Sequence, residues 1–80
     1  MRPPLDPGLL ATFLAVLEHG RISAAARAEH LSQPAVTDRI RRLERALGAP
    51  LFTRSVQGVT PTAAGERLAV HARAHRQLLA

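Results

Sequence analysis

The segment from Ser23 to Leu47 constrains the fold more than any other part of this 80-residue chain. It begins with an alanine-rich run, breaks near Leu31 and continues with apolar and basic residues at helical spacing. Ser32 is a preferred N-cap residue, and Pro34 fits a first helical turn, where its missing N–H costs nothing. The segment therefore predicts a short helix, a tight break and a longer helix over about 33–47.

The longer helix is predicted to be amphipathic, with one face for a core and one for another partner. The apolar face carries Val36, Ile40, Leu43 and Leu47. The opposite face carries Pro34, Thr37, Asp38, Arg41 and Arg45. The front of an α-helix fits the DNA major groove, and first-turn side chains can reach base edges there. Gln33 can pair with an adenine edge, and Thr37 can contact a base or a phosphate.

Two further helices are predicted before this one. Asp6 followed by Pro7 is typical of a helix start, and an apolar stripe then predicts a helix over about 7–19 that Gly20 ends. Ser23 is expected to cap a second helix over about 23–30. Glu29 stands where an apolar residue is expected. Either it lies at the rim and pairs with an arginine, or this helix ends earlier.

Residues 50–61 change to a β-prone character. Two short runs, 51–54 and 59–60, flank a turn-like stretch at 55–58, which predicts a two-stranded hairpin, or wing. Two strands alone are unstable, so the hairpin must lean on the helices. Thr62 is expected to cap a last helix over about 63–79.

The charge balance favours a polyanionic partner. The net charge is +5, and all eleven basic residues are arginine. Neutralising phosphates releases counterions, so a domain this basic suits nucleic acid. Single-strand binders stack bases on aromatic rings, but this chain has only two Phe and no Tyr or Trp. Duplex DNA is therefore the expected polyanion.

Composition also limits the other function classes. There is no Cys, no apolar run near the length of a membrane span, and no signal-peptide core at the N-terminus. We therefore expect an intracellular, cytoplasmic protein with no membrane partner. No phosphate-cradling loop, nucleophile elbow or carboxylate pair appears, so we expect neither an enzyme nor a cofactor. His71 and His75 lie at i, i+4 and could hold a metal, but no Cys or Glu completes a site, so we expect no metal; a metal-sensing repressor is a further alternative.

The arginines near the longer helix divide into two groups. We expect Arg41 and Arg54 to contact phosphate, because one lies on the outward face and the other at the base of the wing. Arg39 and Arg42 are expected either to make intramolecular contacts or to lie near phosphate without binding it. The alternative is a solvated face with pairs such as Arg41 and Glu44.

The last helix carries a stripe for packing either on the body or on another copy of the chain. Its members are Leu68, Ala72, His75 and Leu79. Val70 and Leu78 lie off this stripe, so the helix is apolar on more than one side. A helix that buries two faces usually has a partner chain, which predicts a homodimer through this helix.

An ordered set of residues connects these elements to a known family. The set comprises Leu10, Phe13, Gly20, Ala25, Ala26, the run from Leu31 to Thr37, Ile40, Leu43, Glu44, Leu47, Gly48, Leu51, Phe52, Arg54, Gly58, Thr62, Ala64 and Gly65. Over about residues 6–80 the chain resembles the N-terminal DNA-binding domain of LysR-type transcriptional regulators. The resemblance implies a mainly α winged helix-turn-helix with a three-helix core, a two-stranded β wing and a C-terminal linker helix that pairs the subunits.

The resemblance also implies roles for particular residues. The major-groove readers would be Gln33, Pro34, Thr37 and Asp38. Phosphate contacts would come from Ser32, Thr37, the start of the second helix near Ser23, and Arg54, and the wing would enter the minor groove around Gln57. Four positions depart from the family pattern, namely Glu29, Asp38, Gln57 and Pro61. Asp38 could accept a hydrogen bond from cytosine or turn away from DNA.

We accordingly predict a loose arm over 1–5, a DNA-binding domain over 6–61 and a linker helix over 62–80. The effector-binding domain of the family would lie outside these residues, so we expect the sequence to be the DNA-binding portion of a regulator. A dimer should bind an imperfect inverted repeat, because half-sites mirror protein symmetry. The alternative is a winged-helix module for protein interaction or oligomerisation that does not bind DNA.

Overall fold

The computed structural model describes residues 6–79 and the side chains of residues 6–74. The elements are α1 (Pro7–His19), α2 (Ile22–Glu29), α3 (Gln33–Leu47), β1 (Phe52–Ser55), β2 (Gly58–Pro61) and α4 (Ala63–Leu79). The two strands form one antiparallel hairpin. This confirms the predicted mainly α fold with a two-stranded wing. Within residues 6–79, none of the helices has the length and apolar character needed to cross a bilayer.

Side-chain caps explain why three helices begin where the sequence predicts. The Asp6 carboxylate accepts from the Leu9 N–H at 3.2 Å, which caps α1. Ser32 Oγ accepts from the Ala35 N–H at 3.1 Å, and Thr62 Oγ1 accepts from the Gly65 N–H at 3.1 Å. Each contact satisfies a backbone donor that a helix start leaves without a partner. The predicted ranges of α1, α3 and α4 are confirmed.

The prediction that Ser23 caps α2 is wrong. The N-cap is Arg21, in extended conformation, and it makes no side-chain capping bond. Ser23 is therefore the second residue inside α2. The helix ends at Glu29, one residue before the predicted end, with His30 in the left-handed conformation. Glu29 is therefore the last helical residue; it is half-buried and forms no ion pair with an arginine among the described side chains.

The core lies where α1, α2 and α3 meet and extends beneath the wing and the first half of α4. Its largest fully buried apolar side chains are Phe13, Val16, Val36, Leu43 and Leu51. The predicted core face of α3 is confirmed for three of its four residues. Leu47 is the exception, because it is 40% exposed at the last turn, where little of the body covers the helix.

The wing leans on the helices as predicted. Its register pairs Phe52 with Pro61 and Arg54 with Val59. The Phe52 ring lies 5.2 Å from the Phe13 ring, centroid to centroid, at 38°. This contact joins the root of the wing to α1, so the hairpin is supported by the core and does not depend on its own two strands for stability.

The loop between α3 and the wing is held by side chains from both of its neighbours. The Glu44 carboxylate accepts from the Leu51 N–H at 2.8 Å, and the Thr62 hydroxyl donates to the Pro50 carbonyl at 2.7 Å. Glu44 therefore holds the loop, and no ion pair between Glu44 and Arg41 forms within the described side chains. The wing is consequently fixed relative to α3.

Candidate nucleic-acid interface

The outward face of α3 is open. One shallow depression is lined by Gln33, Pro34, Thr37, Asp38 and Arg41. Thr37 is half-buried, and the other four side chains are exposed. The face behind them is in the core, so α3 offers its polar side to a partner. The sequence-based prediction of two opposed faces is confirmed in this respect.

The front of α3 places one amide side chain where it is available to a ligand. Ser32 Oγ is engaged in capping Ala35. Gln33 follows it, and no hydrogen bond of the Gln33 side chain occurs within the described residues. A primary amide carries both donors and an acceptor, so it can pair bidentately with an adenine edge.

Asp38, the acidic residue on this face, is partly neutralised by its neighbour. Its carboxylate lies 2.9 Å from Nε of Arg42, one helical turn later, and both side chains remain more than half exposed. An exposed pair of this kind contributes little to stability. It does reduce the repulsion between Asp38 and a nearby phosphate. The prediction that Arg42 makes an intramolecular contact is confirmed.

Arg39 crosses from α3 to α1. Its guanidinium donates to the Gly8 carbonyl and to Thr12 Oγ1, each at 3.3 Å. The Thr12 hydroxyl in turn donates to the Gly8 carbonyl at 3.2 Å, which gives this fully buried polar group its partners. Arg39 therefore links α3 to α1, which confirms that it makes an intramolecular contact.

Arg41 and Arg54 line one valley between α3 and the wing. The valley has apolar walls that include Ile22, Ile40 and Val59. Both arginines are exposed, and neither forms an ion pair with a described side chain. The structure thus brings together the two arginines that the sequence singles out as phosphate ligands.

A second groove runs between the wing and the start of α2. It is lined by Arg21, Ser23, Gln33, Arg54 and the wing residues next to them. The groove joins the front of α3 to the base of the wing. The family resemblance implies a phosphate contact near Ser23, at the start of the second helix, but does not single out Arg21, a basic residue two positions before that predicted start.

The wing tip carries no charge. Val56 is 97% exposed, and Gln57 is exposed beside it. The turn is ordered by the Gln57 N–H, which donates to Ser55 Oγ at 3.2 Å, and by the Ser55 hydroxyl, which contacts the Gly58 carbonyl at 3.4 Å. The basic groups of the wing region therefore lie at its base, and the tip offers an amide and an apolar side chain.

The first two residues of the apolar stripe on α4 face the chain's own body. Leu68 is 6% exposed and Ala72 is 1% exposed, and both belong to the core cluster. Of the two alternatives for this stripe, packing on the body therefore applies to Leu68 and Ala72, and they offer almost no surface to a second copy. The side chains of His75 and Leu79 lie outside the described residues. Val70, on the other side of α4, is 71% exposed.

The histidines do not assemble a metal site within the described residues. His71 is exposed, and no group of three metal-ligating side chains occurs there. The side chain of His75 lies outside the described part of the chain.

Comparison with known sequences relates the chain to one family of helix-turn-helix proteins. Residues 7–66 match the model of the family described as bacterial regulatory helix-turn-helix protein, lysR family. The chain is 51% identical over 75 residues to the HTH-type transcriptional regulator AbaB of Streptomyces antibioticus, covering 94% of this chain and 25% of AbaB. It is 54% identical over 56 residues to ClcR of Pseudomonas putida, covering 70% of this chain and 19% of ClcR. The chain thus spans a quarter or less of these two relatives.

Solved structures agree with this placement. A CbnR DBD–DNA complex matches with a TM-score of 0.88 and 39% identity, covering 94% of this chain and 86% of that chain. A BenM DBD complex with benA site 1 DNA matches with a TM-score of 0.87 and 27% identity, covering 94% of this chain and 87% of that one. The winged helix-turn-helix predicted from the sequence is therefore confirmed, and the chain belongs to the LysR family of bacterial regulatory helix-turn-helix proteins.

Proposed function

We propose that this chain binds duplex DNA sequence-specifically and serves as the DNA-binding part of a transcriptional regulator. In this proposal α3 enters the major groove, with Gln33, Pro34 and Thr37 at the base edges. Arg41 and Arg54 hold the backbone that crosses the valley between α3 and the wing, and the wing lies along the neighbouring minor groove. Catalysis has no part in this function.

The single observation that carries the proposal is the open polar face of α3. Its Gln33–Arg41 side is uncovered, whereas Val36, Ile40 and Leu43 on the other side are in the core. The net charge of +5 suits a polyanion. The structural relatives whose coordinates contain DNA have the same fold over nearly the whole chain.

The electrophoretic mobility of a mixed-sequence duplex in dilute buffer tests this proposal. It distinguishes DNA binding from the alternative of a protein-interaction module that does not bind DNA. We expect the chain to retard the duplex, and the affinity to fall steeply as salt is added, because phosphate contacts release counterions. Absence of any complex at low salt would favour the protein-interaction module. Selection of bound duplexes from a random library then gives the preferred sequence.

Arg54→Ala is expected to weaken binding to all duplexes alike. The loss of one phosphate contact should lower the slope of log affinity against log salt by about one unit, without changing the preferred sequence. Fluorescence anisotropy titrations at several salt concentrations measure this slope. Arg27→Ala is the matched control, because Arg27 is an exposed arginine on the last turn of α2 and lines none of the depressions described above. Equal slopes for the two variants would remove Arg54 from the phosphate contacts.

We further propose that two copies pair through the exposed side of α4 and bind an imperfect inverted repeat. Leu68 and Ala72 are occupied by the body, so the side that remains for a partner carries Arg67, Val70 and Ala74. Twofold pairing of the subunits would set the spacing and the opposite orientation of the half-sites.

Val70→Glu is expected to raise the dimer dissociation constant by at least about tenfold. Burial of one valine contributes about 1.5 kcal/mol or more, and a buried carboxylate without a partner adds a further cost. Sedimentation equilibrium measures the constant. Val56→Glu is the matched control, since Val56 is an exposed valine at the wing tip. A Val70→Glu protein that remains as dimeric as the control would contradict pairing through this side.

The remaining assignments follow from the family. We propose that residues 6–61 form the DNA-contacting unit and that 62–80 link it to an effector-binding domain. The predicted arm over 1–5 lies outside the described residues. The first half of α4 is also part of the core, through Leu68, Ala69 and Ala72. A small-molecule effector would act through that further domain, and the protein would work in the cytoplasm on chromosomal DNA.

A further inference from the structure

Two arginines from distant parts of the sequence face the same groove beside the wing. Arg21 precedes α2, and Arg54 lies in β1, yet both line the groove that also contains Ser23 and Gln33. Both side chains are exposed, and neither has an ion-pair partner among the described side chains. The groove therefore has two guanidinium groups available and no described carboxylate that neutralises either of them.

Backbone contacts hold the two sides of this groove together. The Val59 N–H donates to the Gly20 carbonyl at 2.9 Å, which joins β2 to the residue before Arg21. Gly58 packs so closely on this segment that a Cβ there would overlap the Gly20 carbonyl oxygen and lie 3.4 Å from Cγ of Arg21. The start of the Arg21 side chain is thus placed relative to the wing by contacts independent of any ligand.

We infer that Arg21 is a further DNA backbone contact, which with Arg54 binds one strand in the groove between the wing and the start of α2. This inference rests on the proposed function, because it concerns how the same surface binds duplex DNA. A guanidinium presents a planar fork of donors to phosphate oxygens, so two of them along one groove suit a backbone strand. The uncharged wing tip, Val56 and Gln57, contributes to the contact without neutralising phosphate.

The test is the salt dependence of duplex binding in single and double variants. Arg21→Gln keeps much of the aliphatic stem that lies near Gly58 and removes the charge. We expect it to lower the slope of log affinity against log salt concentration by about 0.9. The double variant, which carries both Arg21→Gln and Arg54→Gln, should lower this slope by about 1.8. The affinity ratio of wild type to Arg21→Gln should then fall about 3–4-fold between about 50 and 200 mM salt. Arg21→Lys, which keeps a cation, should retain most of the slope.

Arg27→Gln is the control on the same short helix and should leave the slope unchanged. A second measurement uses the wild-type protein alone, so that it does not depend on any variant folding. The Nε–Hε resonance of Arg21 should shift on addition of duplex, while that of Arg27 should not.

The outcomes separate this inference from the proposed function. Failure of the wild-type protein to bind duplex DNA would overturn both. A different result would overturn the Arg21 contact alone. In that case the wild-type protein binds duplex DNA and its salt dependence depends on Arg54. The slope for Arg21→Gln, however, equals that for Arg27→Gln, and the Arg21 resonance does not shift.

Discussion

Gly58→Ala is expected to lower the free energy of unfolding by about 3–5 kcal/mol, because it combines backbone strain with an atomic overlap. The φ angle of Gly58 is 131°, a value that side-chain-bearing residues rarely adopt. A Cβ there would also overlap the Gly20 carbonyl oxygen, which accepts the hydrogen bond that ties the wing to the body. The substitution should therefore loosen the wing as well as the fold. Urea denaturation followed by circular dichroism measures the change.

Gly48→Ala is the matched control for this prediction. Gly48 ends α3 at φ 70°, and a Cβ there would meet nothing within 4 Å. Only the left-handed conformation is penalised at this position, at a cost of about 1–2 kcal/mol. A Gly58→Ala protein no less stable than Gly48→Ala would show that the close approach of the wing to Gly20 does not constrain the fold.

Gln33→Ala is expected to weaken the free energy of DNA binding by about 1–3 kcal/mol, through the loss of contacts to one base pair. The preference of the protein for a particular base at that position should relax. The Gln33 amide lies at the front of the open face of α3 and has no described partner within the chain, so DNA would supply its hydrogen bonds. Truncation should remove discrimination at that position and leave the salt slope almost unchanged, because no phosphate contact is lost. Selection from a random duplex library, followed by titration of single-base variants, measures both quantities.

Gln57→Ala is the control with the same truncation at the wing tip. It should affect only the coarse distinction between A·T and G·C pairs, since the minor groove displays a degenerate pattern. Identical sequence preferences for the wild-type and Gln33→Ala proteins would exclude Gln33 as a base reader.

Local sequence signals predicted most of the helical framework. The caps at Asp6, Ser32 and Thr62 act within three residues of the donors that they satisfy, so the sequence alone is enough to locate them. The prediction that Ser23 caps α2 failed for a physical reason. Gly20 in the left-handed conformation and Arg21 in extended conformation complete the turn in two residues, and α2 begins before Ser23.

Contacts between distant segments could not be predicted in this way. Arg39 reaches the Gly8 carbonyl 31 residues away, and Glu44 binds the Leu51 N–H across the loop. Neither contact has a periodic signature. Arg21 was missed for the same reason, because its place beside Arg54 depends on how the wing folds back onto Gly20.

Helical periodicity predicts the apolar stripe on α4 but does not predict which surface covers it. Helical spacing groups Leu68 with Ala72 but does not tell whether α1 or a second copy covers them. The burial of both residues in the single chain decides this point for them. The exposed Val70 then becomes the residue to change when dimerisation is tested.

The most direct test of the central claim is a titration of the isotopically labelled protein with a selected duplex, followed by backbone amide resonances. We predict that the largest shifts occur at Gln33, Thr37 and Arg41, with smaller ones at Arg54 and Gln57, and almost none on the buried side of α1. If the resonances of residues 33–41 do not shift, or if no resonance shifts in dilute buffer, the claim that this face of α3 enters DNA is contradicted.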